Sequence, residues 1–327
     1  MTISILGAGA WGTAIATSLS DKQDVILWTR NKDTFESINR TKESDKLPGC
    51  YISDNVSIKS TIEETINASA MILAVPTQSL RQVCQQLYDC NLKKDAAIIL
   101  ACKGIEKSTL KLPSEVVNEI LPNNPVAIFS GPSFAMEVAK KLPYSMVLAC
   151  KDDTLGSKLI SELQQENIKL YYSSDVIGIQ ICAALKNVFA IACGIILGKK
   201  LGCNAHAALI TKSMNEIKVL YLAKIDNSNI DMGTLLGPAC LGDLVMTCTS
   251  LKSRNLSFGF KIGSSNNSVN VQQILLEGKS AIEGFSTTQS AFYLAEKLKI
   301  KMSICEAVYK LLYESACIED TISVFMN

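Results

Sequence analysis

Thr2-Ile3-Ser4-Ile5-Leu6-Gly7-Ala8-Gly9-Ala10-Trp11-Gly12 follows Met1 directly, and its reading decides the fold. The first five residues, apolar and β-branched, have the character of a buried strand. Three glycines come next at the spacing Gly-x-Gly-x-x-Gly, and the mixed apolar and polar residues of 13–19 suit a helix starting near Thr13. A strand that turns through such glycines into a helix is the opening unit of a doubly wound, dinucleotide-binding sheet. Gly7 permits the tight turn, Gly9 lets the backbone approach a pyrophosphate, and Gly12 lets helix pack on strand. The helix N-terminus then offers N–H donors and a positive dipole to the anion. Gly7, Gly9, Ala10, Trp11 and Gly12 are therefore the expected cofactor contacts.

The alternation continues outward from that turn. Apolar runs at residues 3–6, 25–28, 71–75, 97–101 and 126–129 each suit a buried strand, and helix-like stretches such as 80–87 lie between them. Such alternation implies a parallel sheet covered on both faces. A further strand pair is expected at 145–149 and 169–172. After about Asp175 strand-like runs give way to helical periodicity, at 176–196, 205–224, 271–276, 287–298 and 304–313. The sequence thus predicts an α/β chain with a Rossmann-type doubly wound sheet over residues 1–174 and an all-helical domain over 175–327. Polar clusters at 227–229 and 264–268 have the composition of surface loops.

The second expected strand ends in Thr29-Arg30-Asn31-Lys32, where an NAD-specific site usually carries an acid for the ribose 2′-hydroxyl. A cation at Arg30 suits the 2′-phosphate of NADPH instead, although a solvated surface arginine has the same appearance. NADPH is the expected cofactor, with NADH possible.

Composition narrows the field. Across 327 residues, 32 Lys and Arg face 31 Asp and Glu, a net charge of +1. No global field attracts nucleic acid or an anionic membrane, so an anionic ligand must be gripped locally. The twelve cysteines are scattered and lack a CxxC pair, and there is a single histidine. Free thiols in a reducing compartment and no metal site are expected. The longest apolar run, 188–198, lies between Lys186 and Lys199 and falls short of the roughly 20 residues that span a bilayer. Without a basic leader at the start, a soluble cytoplasmic protein is expected.

Several segments together resemble the bacterial NAD(P)-dependent glycerol-3-phosphate dehydrogenases over essentially the whole chain. They are the opening glycine turn through Ala14, Ala74-Val75-Pro76, Cys102-Lys103-Gly104-Ile105-Glu106, Ser130-Gly131-Pro132-Ser133-Phe134-Ala135, Ala184-Leu185-Lys186-Asn187-Val188, Leu241-Gly242-Asp243-Leu244-Val245, Ser253-Arg254-Asn255 and Glu283-Gly284. The resemblance implies a helical domain like the C-terminal one of 6-phosphogluconate dehydrogenase, dihydroxyacetone phosphate or glycerol 3-phosphate as small-molecule substrate, a supply role for phospholipid synthesis, and a homodimer. It implies Lys186 as general acid/base and Lys103 as a second substrate lysine that also meets the cofactor. It places Asp243 in the catalytic cluster, Gly131 and Ser133 near the substrate, and Ala135, Arg254 and Glu283 near the cofactor.

The residues themselves bear on these roles. Lys186 stands beside the apolar run 188–198, where burial lowers a lysine pKa, although a lysine in a helix can also snorkel to the surface. Asp243 is its natural counter-ion and shares a helix face with Thr247 at i, i+4. Asn187 could orient the amine or a substrate oxygen. Ser253-Arg254-Asn255 offers a hydroxyl, a forked guanidinium and an amide to a phosphate. Either Ser253 caps a new helix there or the helix from Asp243 continues through it. His206 and Lys212 stand where the family commonly has arginine, so a structural role is expected for the single histidine. A β-hydroxyacid dehydrogenase and a cofactor-sensing regulatory protein are the alternatives, disfavoured by that phosphate-suited triad and by the retention of Lys103, Lys186 and Asp243.

Overall fold

The computed structural model describes residues 2–226, 229–265, 271–277 and 282–327. Asn227, Ser228 and residues 266–268, expected in loops, lie outside them; Ser264 instead closes a helix. The chain forms two compact units, one running to Cys102 and resuming over Pro113–Val176, the other made of Lys103–Leu112 with Ile177–Asn327. The segment 103–112, on the N-terminal side of the expected boundary at 174, thus groups with the helical unit.

The first unit holds, in chain order, β1 (Thr2–Leu6), α1 (Ala10–Leu19), β2 (Asp24–Trp28), α2 (Lys32–Thr41), β3 (Glu43–Ser44), β4 (Leu47–Tyr51), β5 (Val56–Lys59), β6 (Ala70–Leu73), α3 (Leu80–Asp89), β7 (Ala97–Leu100), α4 (Pro113–Ile120), β8 (Val126–Ser130), α5 (Ala135–Ala139), β9 (Tyr144–Cys150), α6 (Asp153–Leu163) and β10 (Ile168–Ser173). Eight strands form one sheet in the order β10-β9-β8-β7-β6-β1-β2-β5. β1 pairs in parallel with β2 and with β6, so the glycine turn leaves the sheet where the strand order reverses. That reversal is where doubly wound sheets bind ligands.

Two features depart from the expected sheet, one in strand direction and one in strand number. β9 runs antiparallel to β8, because only the short α5 links them and no full crossover helix intervenes. β5 is an edge strand whose Val56 and Ile58 are buried while Ser57 is exposed, and a search for continuous apolar runs passes over such alternation.

In the second unit, α7 (Val176–Gly198), α8 (Gly202–Lys224), α9 (Met232–Leu236), α10 (Asp243–Thr249), α11 (Arg254–Ser264), α12 (Val271–Glu277), α13 (Glu283–Leu298), α14 (Ser303–Tyr313) and α15 (Ile318–Met326) follow one another, with a π turn at Pro238–Gly242 leading into α10. The core is centred on α7, whose Val188, Phe189, Ile191, Cys193, Ile195 and Ile196 are fully buried. α7 and α11 pack backbone to backbone. A Cβ at Gly194 would lie 2.1 Å from Leu256 O, and one at Gly259 would lie 2.0 Å from Ile191 O.

The apolar run at 188–198 belongs to a helix of 23 residues, which is long enough to cross a bilayer, so length does not exclude a membrane span. Its environment is the stronger argument: 94% of its most apolar window is buried inside the protein. Met232–Thr249 also meets the length and composition test, with 44% buried, but a π turn interrupts it and it carries Asp243.

Candidate active site

In the first unit the glycine turn has the geometry that an anion cradle requires. Gly7 has φ +116°, and a Cβ on it would lie 2.7 Å from Ala74 O; a Cβ on Gly12 would lie 1.9 Å from Gly7 O. Both glycines are demanded by the protein's own backbone. Gly9 is different: its φ is −74°, and a Cβ there would meet nothing within 4 Å. Neither strain nor packing requires glycine at this position, so the space a side chain would fill fits the close approach of a ligand. α1 starts at Ala10, earlier than the expected Thr13, because the extended Gly9 is its N-cap. Ala10, Trp11 and Gly12 therefore supply first-turn N–H groups, which have no partner within an α-helix.

Arg30 is exposed just after β2, and Asn31 beside it caps α2 by accepting from Thr34 N at 2.8 Å. Gly131 follows β8, Ser133 Oγ donates to Gly131 O at 3.0 Å, and Ala135 opens α5. These residues present a nucleotide turn, a cation at the end of the second strand, and a loop at the end of β8.

The second unit carries the ionisable cluster. Lys186 lies midway along α7 with 6% of its surface exposed, and Asp243 at the start of α10 is fully buried. Lys186 Nζ donates to Asp243 Oδ1 at 2.5 Å and to Thr247 Oγ1 at 3.1 Å. Thr247 Oγ1 in turn lies 3.3 Å from Asp243 Oδ1, the geometry that i, i+4 spacing on one helix provides. Lys103 Nζ donates to the other carboxylate oxygen, Asp243 Oδ2, at 2.9 Å.

One acid thus holds two cations, each on its own oxygen. Burial drives the Lys186 ammonium down from its ordinary range to about 8, with Asp243 opposing the shift and Lys103 adding to it. Burial alone would raise the Asp243 carboxyl, but the two lysines overcome it and hold its pKa below the ordinary value. A lysine whose charge is poised near neutrality can both give and take a proton.

The triad at 253–255 begins a new helix; the alternative, a continuous helix from Asp243, is set aside because α10 ends at Thr249. Ser253 caps α11 by accepting from Leu256 N at 3.3 Å, and the Arg254 side chain is exposed. Asn255 is buried; it donates to Asn187 Oδ1 at 2.9 Å and accepts from Gly284 N at 2.9 Å. Glu283 opens α13, and burial raises its carboxyl against the pull of Arg254, Lys103 and Lys186.

Lys103, Lys186, Asp243 and Thr247 therefore meet directly, as do Asn187, Asn255 and Gly284. The linear pattern does not mark the contact made by Gly284, and it marks the π turn before Asp243 only at its ends. Gly237-Pro238 and Gly242, which bracket that turn, are the signal for it. His206 Nε2 lies 2.8 Å from Cys248 O, tying α8 to α10.

A doubly wound sheet with an open glycine turn, together with a helical unit organised around a buried lysine, places the chain among the nicotinamide-nucleotide-dependent oxidoreductases. Residues 2–156 match the N-terminal model of the NAD-dependent glycerol-3-phosphate dehydrogenases, and residues 175–323 match the C-terminal one. The chain belongs to this family. It is 84% identical to a glycerol-3-phosphate dehydrogenase of the NAD(P)+ type from Wolbachia sp. subsp. Brugia malayi (strain TRS), over the full length of both. A relative of the same name from Ehrlichia chaffeensis is 46% identical, with 99% of each chain covered. The crystal structure of glycerol-3-phosphate dehydrogenase from Coxiella burnetii superimposes with a TM-score of 0.92 at 32% identity, covering 98% of this chain and 97% of that one.

Proposed function

We propose that the chain reduces dihydroxyacetone phosphate to sn-glycerol 3-phosphate, reversibly, with NADPH as preferred and NADH as alternative reductant. The observation that carries the reading is the Lys103–Asp243–Lys186–Thr247 cluster, a proton carrier with its charge balanced in a buried place. The product is a building block of glycerophospholipids. Following NADPH absorbance with dihydroxyacetone phosphate tests it: steady, substrate-dependent oxidation is expected, and its absence overturns the reading.

Gly7, Gly9, Ala10, Trp11 and Gly12 would hold the pyrophosphate, Arg30 the 2′-phosphate, and Ala135, Lys103, Arg254 and Glu283 would make further cofactor contacts. When bound, the nicotinamide supplies hydride to the carbonyl carbon. Of the three N–H donors on Lys186, one goes to Asp243 and one to Thr247, which leaves the third for the substrate oxygen. Lys186 gives that oxygen its proton during reduction and takes it back during oxidation. Lys103, held by the far side of Asp243, places a second positive charge where the oxygen gains negative charge. Ser253, Arg254 and Asn255, at the start of α11, would receive the phosphate, with Gly131 and Ser133 as further substrate contacts. In this division of labour residues 1–174 hold most of the cofactor, and residues 175–327 with Lys103 carry the proton transfer and the phosphate. A cytoplasmic homodimer completes the proposal and rests on family membership.

A lysine titrating near 8 makes the two directions mirror images. Reduction needs the ammonium, so its kcat/KM is expected to fall as pH rises through about 8; oxidation needs the free amine and is expected to rise through the same region. Profiles of both directions check this, and limbs of the same sign would remove Lys186 as the proton carrier. Arg254→Ala is expected to raise KM for dihydroxyacetone phosphate by about 100-fold, the cost of truncating one partner of a charged contact. The KM for NADPH should change far less; equal changes would move the phosphate elsewhere.

A further inference from the structure

Two thiols that the proposed chemistry does not use lie beside it. Cys193 is on α7, two turns after Lys186, and Cys248 follows Thr247 on α10; both are free and fully buried. Their side chains hydrogen bond one another. Seven residues along a helix return to nearly the same face, so Cys193 shares the side of α7 that carries Lys186. Thr247 Oγ1 accepts from Lys186 Nζ at 3.1 Å, and Cys248 is close enough for the charges of Lys186 and Asp243 to act on it.

His206 completes the group from α8. A carbonyl only accepts, so the 2.8 Å contact with Cys248 O makes Nε2 a donor, and the ring also hydrogen bonds Cys193. The bond from Cys248, helped by the one from His206, draws the Cys193 thiol below its ordinary pKa against the effect of burial. Burial pushes the Cys248 thiol up. The two cysteines are therefore unequal, one inclined to the thiolate and the other to the thiol. A thiol sealed in an apolar core is inert. Cys193 differs, because a basic side chain reaches it from a half-buried position that follows the exposed residues 201–204.

We propose that Cys193 and Cys248 form a peroxide-sensitive pair, whose oxidation to a disulfide ties α10 to α7 beside Lys186 and slows the reduction. The step balances with a hydroperoxide as oxidant. The Cys193 thiolate attacks one peroxide oxygen and the O–O bond breaks, leaving a sulfenic acid and a hydroxide that the displaced thiol proton turns to water. The Cys248 sulfur then attacks the Cys193 sulfur. The S–O bond breaks, and the oxygen departs as water with the Cys248 proton. Two electrons pass from the sulfurs to the peroxide, and an added dithiol reverses the change. A disulfide is shorter than a hydrogen bond between thiols, so Cys248, and Thr247 next to it, are drawn toward α7. The Thr247 contact that orients the Lys186 ammonium is thereby displaced.

The test treats reduced, full-length enzyme with hydrogen peroxide and then assays it with NADPH and dihydroxyacetone phosphate. Peptide mass mapping is expected to find Cys193 and Cys248 joined with loss of their two thiol hydrogens. The kcat should fall by about 100-fold, as for a misplacement of about 1 Å in a catalytic group, and dithiothreitol should restore it. Cys193→Ala and Cys248→Ser are each expected to keep basal turnover and to lose the sensitivity. The alanine variant buries no hydroxyl and serves even where the serine variant fails to fold. Absence of the Cys193–Cys248 link in the wild type, a link that leaves kcat unchanged, or equal inactivation of Cys193→Ala would overturn the inference. The effect on turnover rests on the proposed reaction, whereas the link does not. Wild-type protein that never oxidises NADPH with this substrate overturns the reading of function, and the peptide map still decides whether the pair forms.

Discussion

Lys186→Ala is expected to lower kcat for dihydroxyacetone phosphate reduction by about ten-thousand-fold, the upper range for removing a positioned general acid. The fold should survive, since the buried Asp243 keeps its bond to Lys103 at 2.9 Å. Substrate KM should move far less, because the phosphate is held elsewhere. Lys186→Arg sharpens the test. Arginine keeps the charge but holds its proton at every working pH, so it can stand in for electrostatics and not for proton transfer. Activity within tenfold of wild type in the arginine variant would assign Lys186 a charge-balancing role only, and normal turnover in the alanine variant would remove it from the chemistry.

Asp243→Asn has two expected results. Breaking a buried ion pair by removing one partner costs about 3–5 kcal/mol, since the other charge is left without compensation. Here one carboxylate serves two ammonium groups, one of them on a residue only 6% exposed, so the upper end applies. With a shift of about 2–4 °C per kcal/mol for a unit of this size, the melting temperature should drop by roughly 10–20 °C. The second result concerns pH. Asp243 opposes the effect of burial on Lys186, so its removal carries the lysine pKa further below about 8. The ammonium then persists only at lower pH, and the fall of the reduction rate moves to the acid side of the wild-type limb. An unchanged melting temperature together with an unchanged limb would mean that Asp243 does not hold the two lysines in solution.

The sequence made much of this legible, for reasons that differ from part to part. The sheet could be read because its central strands are buried on both faces and so appear as unbroken apolar runs, as in β1, β6 and β7. β5 escaped because it alternates. The side-by-side placement of Asp243 and Thr247 could be read from a four-residue spacing, which any helix converts into contact.

The second bond of Asp243 could not. Lys103 is 140 residues away in sequence, and nothing local says that one carboxylate will serve both lysines. Asn255 shows the limit most clearly. Next to Ser253 and Arg254 it reads as a third phosphate ligand, and nothing local says that its amide also meets Asn187 and Gly284, 68 and 29 residues distant. Hydrogen-bond polarity is a property of what meets in space, and a linear pattern carries no record of it.

The crossing of α7 and α11 at Gly194 and Gly259 bears on which molecules can react. Lys186 rides on one helix, and Ser253 and Arg254 stand at the head of the other. The two are clamped main chain to main chain, where no rotamer change can open or close the gap. If Lys186 meets the carbonyl and Arg254 the phosphate, as proposed, the pair works as a calliper set to one length, and a sugar phosphate one carbon longer is expected to be a poor substrate. On that reading, selectivity for a three-carbon skeleton would reside in two glycines whose close contacts are with a neighbouring helix.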